Sequence, residues 1–185
     1  MIKKPKIAIL IDLLIPGGVQ KTAIAEVINL RNLGFDATLL ILMRKWFNQK
    51  NSYMLEGIPF EFLPDRFPKY LQINFKIPYF KFLSLSHLLN PLIAPLFIKK
   101  NDFDLIISHG TTASATALSL LHFKKIPYFT LIYDPMLYIF EKVYGHTPLK
   151  YLLPIAKIVI LAIEKKIITS ATVCFVISRV HAQFI

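Results

Sequence analysis

Apolar residues follow two different periods along the chain. Ile7 to Ile11, Ala37 to Met43, Asp104 to Ser108, Pro127 to Ile132 and Thr172 to Ile177 are short, nearly continuous apolar runs rich in β-branched residues and leucine. Such runs predict strands buried on both faces of a parallel sheet. Pro59 to Leu63 reads as a further short strand. Between the runs the spacing turns helical. Val19, Ala23, Val27 and Leu30 recur on one face, with Gln20, Lys21, Arg31 and Asn32 elsewhere and Gly34 placed as a C-cap. Thr111 to His122 is a helix of small residues, with Lys124 and Lys125 at its negative end, and a long helical pattern runs up to Lys166. Ser178 stands as the N-cap of one more helix before Ile185. Strands alternating with helices predict an α/β fold: a Rossmann-like, doubly wound parallel sheet with right-handed crossovers.

Residues 44–100 interrupt this regularity. The segment carries Pro59, Pro64, Pro68, Pro78, Pro91 and Pro95. It also interleaves Phe67, Tyr70, Phe75, Tyr79, Phe80 and Phe82 with Arg66, Lys69, Lys76 and Lys81. Two readings stand side by side: a proline-broken insertion whose aromatics pack on the sheet, and a segment lying in the headgroup layer of a membrane.

Composition narrows the class. At 185 residues the chain suits one well-buried domain. Its apolar content of 55% and mean hydropathy of +0.52 are high, yet no uncharged apolar stretch is long enough to span a bilayer. The formal charge of +11, from 22 Lys and Arg against 11 Asp and Glu, favours polyanionic partners. The basic residues fall in pairs near the ends of elements, without a recognition-helix or RNP-like pattern, so nucleic acid is not expected as a partner. Cys174 is the only cysteine and lies inside an apolar strand pattern, which excludes a disulfide framework and suggests a reducing, cytoplasmic compartment. The apolar run at the N-terminus meets Asp12 too early for a signal peptide. His87, His122, His146 and His181 show no metal-ligand spacing, so neither a metal nor another cofactor is expected.

In an open parallel sheet, ligands sit beyond the carboxyl ends of the strands. The residues at those ends are Asp12 to Gly18, Arg44, His109 to Thr112, Tyr133 and Asp134, and Ser178. Gly17 and Gly18 open a helix, where glycine allows positive φ and close backbone approach and the helix presents unpaired amides to an oxyanion. The pair fits neither the spaced dinucleotide fingerprint nor a Walker A sequence, and such a pair is more often only an ordinary tight turn. His109 is a general base, a sugar ligand or an ordinary loop histidine. Asp134 precedes a proline, where aspartate often serves only the backbone, although a carboxylate there could bind sugar or metal. The absence of a G-x-S-x-G elbow or paired carboxylates speaks against a hydrolase.

The ordered motifs GGVQK, FDLIISHG, KKIPYFTLIYDP and EKKIITSATVCFVIS resemble the N-terminal domain of the family-four retaining glycosyltransferases of GT-B fold. The resemblance covers nearly the whole chain apart from the proline-rich insertion. It implies the acceptor side of an enzyme that moves a sugar from a nucleotide-sugar to a glycan or lipid-linked acceptor. On this resemblance Gly17 and Gly18 approach the donor phosphates or the reacting sugar, and Gln20 and Lys21 stand where the family usually has Glu and Arg. His109, Thr111 and Ser178 join the substrate-binding set. Tyr133 falls where the family has its active-site histidine, followed by the expected acidic Asp134, and these two are the catalytic candidates. The family's donor-binding C-terminal domain has no counterpart within residues 1–185, so the chain is expected to be incomplete by itself. The alternative is a non-catalytic partner subunit that docks to a donor-domain chain or to the inner face of the cell membrane. A third reading, a nucleotide-binding α/β protein without sugar transfer, rests on the glycine turn alone.

Overall fold

The computed structural model describes residues 4–44, 52–69, 85–133, 136, 141–142, 145–147, 150–151 and 153–176. Six strands form one parallel sheet: β1 (Lys6–Leu13), β2 (Asp36–Met43), β3 (Phe60–Phe62), β4 (Leu105–His109), β5 (Tyr128–Ile132) and β6 (Val173–Val176). Their order is β3-β2-β1-β4-β5-β6. Among the described residues the long helices are α1 (Gly18–Asn32), α2 (Leu85–Phe97), α3 (Thr111–Lys124) and α4 (Leu153–Ser170). This is the doubly wound Rossmann-like arrangement that the alternating pattern predicts.

The pleat sorts the core into two layers. Ile7, Ile9 and Ile11 of β1 point to the face covered by Ala23 and Val27 of α1. Ala8 and Leu10 point to the opposite face, where Ala113, Ala117 and Leu120 of α3, Ala94 of α2 and Ile167 of α4 close over them. Alanines on α3 let its backbone lie close to the sheet, as the small-residue pattern predicts. Gly34, at φ 94°, ends α1. Its N–H reaches the Arg31 carbonyl at 2.9 Å while the Phe35 N–H reaches the Leu30 carbonyl at 3.0 Å, a Schellman closure.

The insertion holds a helix that its prolines conceal. Pro91 and Pro95 both lie inside α2. Pro95 has no N–H to give the carbonyl one turn earlier, which is that of Pro91. The Ser119 hydroxyl of α3 donates to that carbonyl instead, so the freed acceptor becomes a helix-to-helix bond. Asn90 adds a second tie from α2, donating from Nδ2 to the Leu42 carbonyl of β2 at 3.1 Å. Phe67 is buried and packs against Phe97 at 5.1 Å between ring centroids, as the packed-insertion reading expects of it. Tyr70, Phe75, Tyr79, Phe80 and Phe82 lie outside the described residues.

Candidate functional site

The strand order reverses between β1 and β4, and α1 and α3 leave their carboxyl ends toward opposite faces of the sheet. That divergence is where an open α/β sheet offers a ligand site. Asp12 comes from the end of β1, Gly17 and Gly18 from the entry to α1, His109 and Gly110 from the end of β4, Thr111 and Thr112 from the start of α3, and Tyr133 from the residue after β5.

The two glycines at α1 do not do what the sequence suggests. Gly17 is extended, at φ −168° and ψ 170°, a conformation open to any residue, and Gly18 is already helical. The expectation of positive φ at this pair therefore fails. The demanding glycine is Gly110, at φ 86°, which turns β4 into α3 in the left-handed region that a side chain resists. At Gly18 an added Cβ would meet nothing within 4 Å, so the missing side chain leaves open space before the first amides of α1. Gln20 folds back and donates from Nε2 to the Leu13 carbonyl at 3.1 Å, closing the loop after β1 with its own amide. Lys21 is exposed on the first turn.

His109 is fully buried, and both ring nitrogens are engaged. Nδ1 lies 2.7 Å from the Tyr133 hydroxyl, and Nε2 lies 2.8 Å from Oε2 of Glu26 on α1. An ionised carboxylate only accepts, so in the neutral ring Nε2–H donates to Glu26 and Nδ1 accepts from the phenol. The Tyr133 ring lies nearly parallel to the imidazole, at 21°. Burial and the nearby Glu26 carboxylate push the Tyr133 phenol above its ordinary pKa, with the Thr22 hydroxyl working against the rise. It therefore remains protonated, and a donor, through neutral pH. The structure thus brings together two sequence candidates, His109 and Tyr133, and adds Glu26. Glu26 has no local signature in the sequence: it is a mid-helix glutamate whose partner is 83 positions away.

Asp12 faces the start of α3. Its Oδ1 is shut off from solvent without a hydrogen-bond partner among the described residues. Burial pushes the carboxyl up to about 7, partly offset by the Thr112 hydroxyl and the Ala113 backbone N–H. Asp12 thus lies against a helix terminus that has no side-chain cap of its own. Near neutral pH this carboxyl exists in both protonation states. Thr111 is also buried, and its hydroxyl makes no hydrogen bond of ordinary geometry among the described residues. Glu164 of α4 accepts the Met136 backbone N–H at 2.6 Å. Burial raises the Glu164 pKa, with that N–H and the nearby Thr111 hydroxyl working against the rise.

Beneath the site a hydroxyl cluster fixes α3 to the sheet. Ser114 donates to the Gly110 carbonyl at 2.7 Å and lies 2.5 Å from the Thr130 hydroxyl, while Ser108 donates to the Phe129 carbonyl at 3.1 Å. These contacts hold the turn that carries His109. Asp134 and Ser178 lie outside the described residues. Cys174, on β6, is half-buried, and burial pushes its thiol up, away from thiolate chemistry. Among the described residues no three His, Cys, Asp or Glu side chains gather as a metal site, and no helix is long and apolar enough to cross a membrane.

No protein-family model and no curated protein sequence matches the chain. Solved structures do match. Anabaena Alr3699/HepE, in complex with UDP and glucose, aligns over 92% of this chain and 37% of its own, with a TM-score of 0.52 and 16% identity. The lipopolysaccharide outer core galactosyltransferase WaaB aligns over 68% of this chain and 32% of its own, at TM-score 0.47 and 13% identity. Phytolacca americana UGT2, complexed with UDP-2fluoro-glucose and pterostilbene, aligns over 74% and 32%, at TM-score 0.44 and 15% identity. The chain spans about a third of the length of these proteins. With its six-stranded parallel sheet and flanking helices, it has the Rossmann-like fold of a GT-B glycosyltransferase domain.

Proposed function

We propose that this chain is the acceptor-side domain of a retaining, family-four glycosyltransferase. It would act in sugar transfer from a nucleotide-sugar to a glycan or lipid-linked acceptor. The observation that carries the reading is the Tyr133–His109–Glu26 chain at the point where the sheet order reverses. Tyr133 directs its proton to Nδ1, so its oxygen acts as an acceptor, for the nearby Thr22 hydroxyl or for a hydroxyl entering the site in its place. The bond to Glu26 holds the imidazole in the tautomer that accepts from the phenol. A tyrosine cannot copy a histidine's titration, so its role here is to orient the acceptor hydroxyl rather than to remove its proton. Lys21 and the open amides beside Gly18 suit the negative charge of the donor phosphates. Asp134 and Ser178 complete the proposed set from the motif resemblance.

Donor binding would come mainly from a second domain, either further along the same polypeptide or on a separate one. The test is sugar transfer from labelled nucleotide-sugars, assayed for this chain alone, for a donor-domain polypeptide alone and for the two together. Transfer by the pair only, with the anomeric configuration of the donor preserved, is the expected result. Co-purification without transfer would instead favour a non-catalytic partner subunit, which the replacement of the family histidine by Tyr133 also favours. Tight nucleotide binding by the chain alone would replace both with a nucleotide-binding protein.

A further inference from the structure

The hydroxyls of Ser108 on β4, Ser114 on α3 and Thr130 on β5 are buried together between the sheet and α3, just below the β1–β4 mouth. Ser108 and Thr130 stand opposite one another in the β4–β5 pairing. Apolar side chains of similar size would fill this space with no polar atoms to satisfy, so what the hydroxyls contribute lies in their hydrogen bonds. Ser114 donates to the Gly110 carbonyl at 2.7 Å. With that proton committed, the 2.5 Å contact between Ser114 and Thr130 carries the Thr130 proton. Ser108 lies 3.0 Å from Ser114 and donates to the Phe129 carbonyl at 3.1 Å. A directed line of hydrogen bonds thus runs from β5 to the turn after β4: Thr130 to Ser114 to Gly110.

Gly110 is tied to β5 by both of its polar groups, because its N–H also donates to the Leu131 carbonyl at 2.9 Å. It holds φ 86° between His109 and the first turn of α3. The tie falls where the ladder stops. His109 and Leu131 are the last paired residues of β4 and β5, so Tyr133 lies beyond the final rung. The 2.7 Å contact between its phenol and Nδ1 of His109 spans the two strand ends at that place. Glu26 ties the other side of the imidazole to α1, not to β5. Among the described residues the pinned peptide at Gly110 is the link between β4 and β5 that lies next to the pair.

We infer that Ser114 is a positioning residue for the Tyr133–His109 pair: through Gly110 and Thr130 it joins the ends of β4 and β5 and so sets the phenol against Nδ1. The inference deepens the sugar-transfer reading and rests on it only for what the pair receives. The test reads the His109 ring nitrogens in the 185-residue chain by nitrogen-15 NMR. In the parent, Nδ1 should resonate upfield of a free imine nitrogen, as a hydrogen-bond acceptor does. Ser114→Ala should move it downfield toward the free position. Ser119→Ala, on the same helix, removes a hydroxyl bond of similar worth away from the mouth and should leave Nδ1 where it is. The double variant Ser114→Ala, Thr130→Val strands no hydroxyl of this pair in the core, so it should be more stable than Ser114→Ala alone. It should still show the downfield Nδ1, which separates positioning from support of the fold, and it carries the test where the single variant does not fold. An Nδ1 resonance at the parent position in the folded double variant overturns the proposal. So does an equal movement in Ser119→Ala, or a parent in which Nδ1 is already free. Titration of the parent with an alkyl glycoside reads the acceptor claim separately: absence of saturable binding would remove that claim and leave the ring shifts to decide this one.

Discussion

Replacing Asp12 by asparagine should change how stability depends on pH, and in a direction opposite to that of most carboxylates. The carboxyl rises from 3.8 to about 7 because burial disfavours its charged form. Between those values the folded chain holds a proton that the unfolded chain has released. Folding stability from this group is therefore fully present below about pH 4 and falls as pH climbs toward 7, beyond which the loss is complete. At about 1.4 kcal/mol per tenfold, the difference between 3.8 and about 7 corresponds to about 4 kcal/mol. This is an upper figure, since the residue as a whole is only partly buried. The asparagine amide does not ionise, so the variant lacks this slope. The assay is urea unfolding of both proteins at half-unit steps from pH 4 to 8. Subtracting one curve from the other cancels every other titrating group that the two share. Asp12→Asn should gain about 2–4 kcal/mol relative to the parent across that range, with the change accruing between about pH 4 and 7. A difference that stays constant from pH 4 to 8 would refute the argument, because it would mean that Asp12 ionises in the fold as it does in water.

Two further sites test the turn and the concealed helix. Gly110→Ala should cost about 1–3 kcal/mol in chemical denaturation, since it forces a side chain to φ 86°. Gly18→Ala should instead be neutral or stabilising by about 0.4–1 kcal/mol, because the position is helical and an added Cβ meets nothing. Ser119→Ala should cost about 1–3 kcal/mol by leaving the Pro91 carbonyl without its donor; an unchanged denaturation midpoint would mean that α2 finds another partner.

The inner strands β1 and β2 were legible because they are buried on both faces, so the apolar run alone marks them, whereas β6, expected to be buried on both faces, lies at the sheet edge with Val173 and Phe175 exposed. β1, β2, β4 and β5 lie within about one or two residues of their expected ends. Gly34 was legible for the same local reason: a C-cap glycine follows directly from the helical period before it. α2 was not, since Pro91 and Pro95 are normally helix breakers and the Ser119 bond that offsets them comes from another helix. The site divides in the same way. His109, Tyr133 and Asp12 could be suspected from their places at strand ends. Glu26 could not, because only the packing of α1 on the sheet brings it to His109. The glycine pair misled on its mechanism: Gly17 and Gly18 carry no positive φ, and the strained turn is at Gly110, where one glycine after a histidine draws no notice.

The central claim is that the β1–β4 mouth receives a sugar acceptor rather than a free nucleotide. Amide-resolved NMR of the chain, titrated separately with simple alkyl glycosides and with UDP, tests it most directly. The account predicts that a glycoside shifts the amides of Gly18, Gly110, Thr111 and Tyr133 together, while UDP shifts them weakly and without saturation. Saturable shifts of those amides by UDP alone, or no response there to any glycoside, would contradict it.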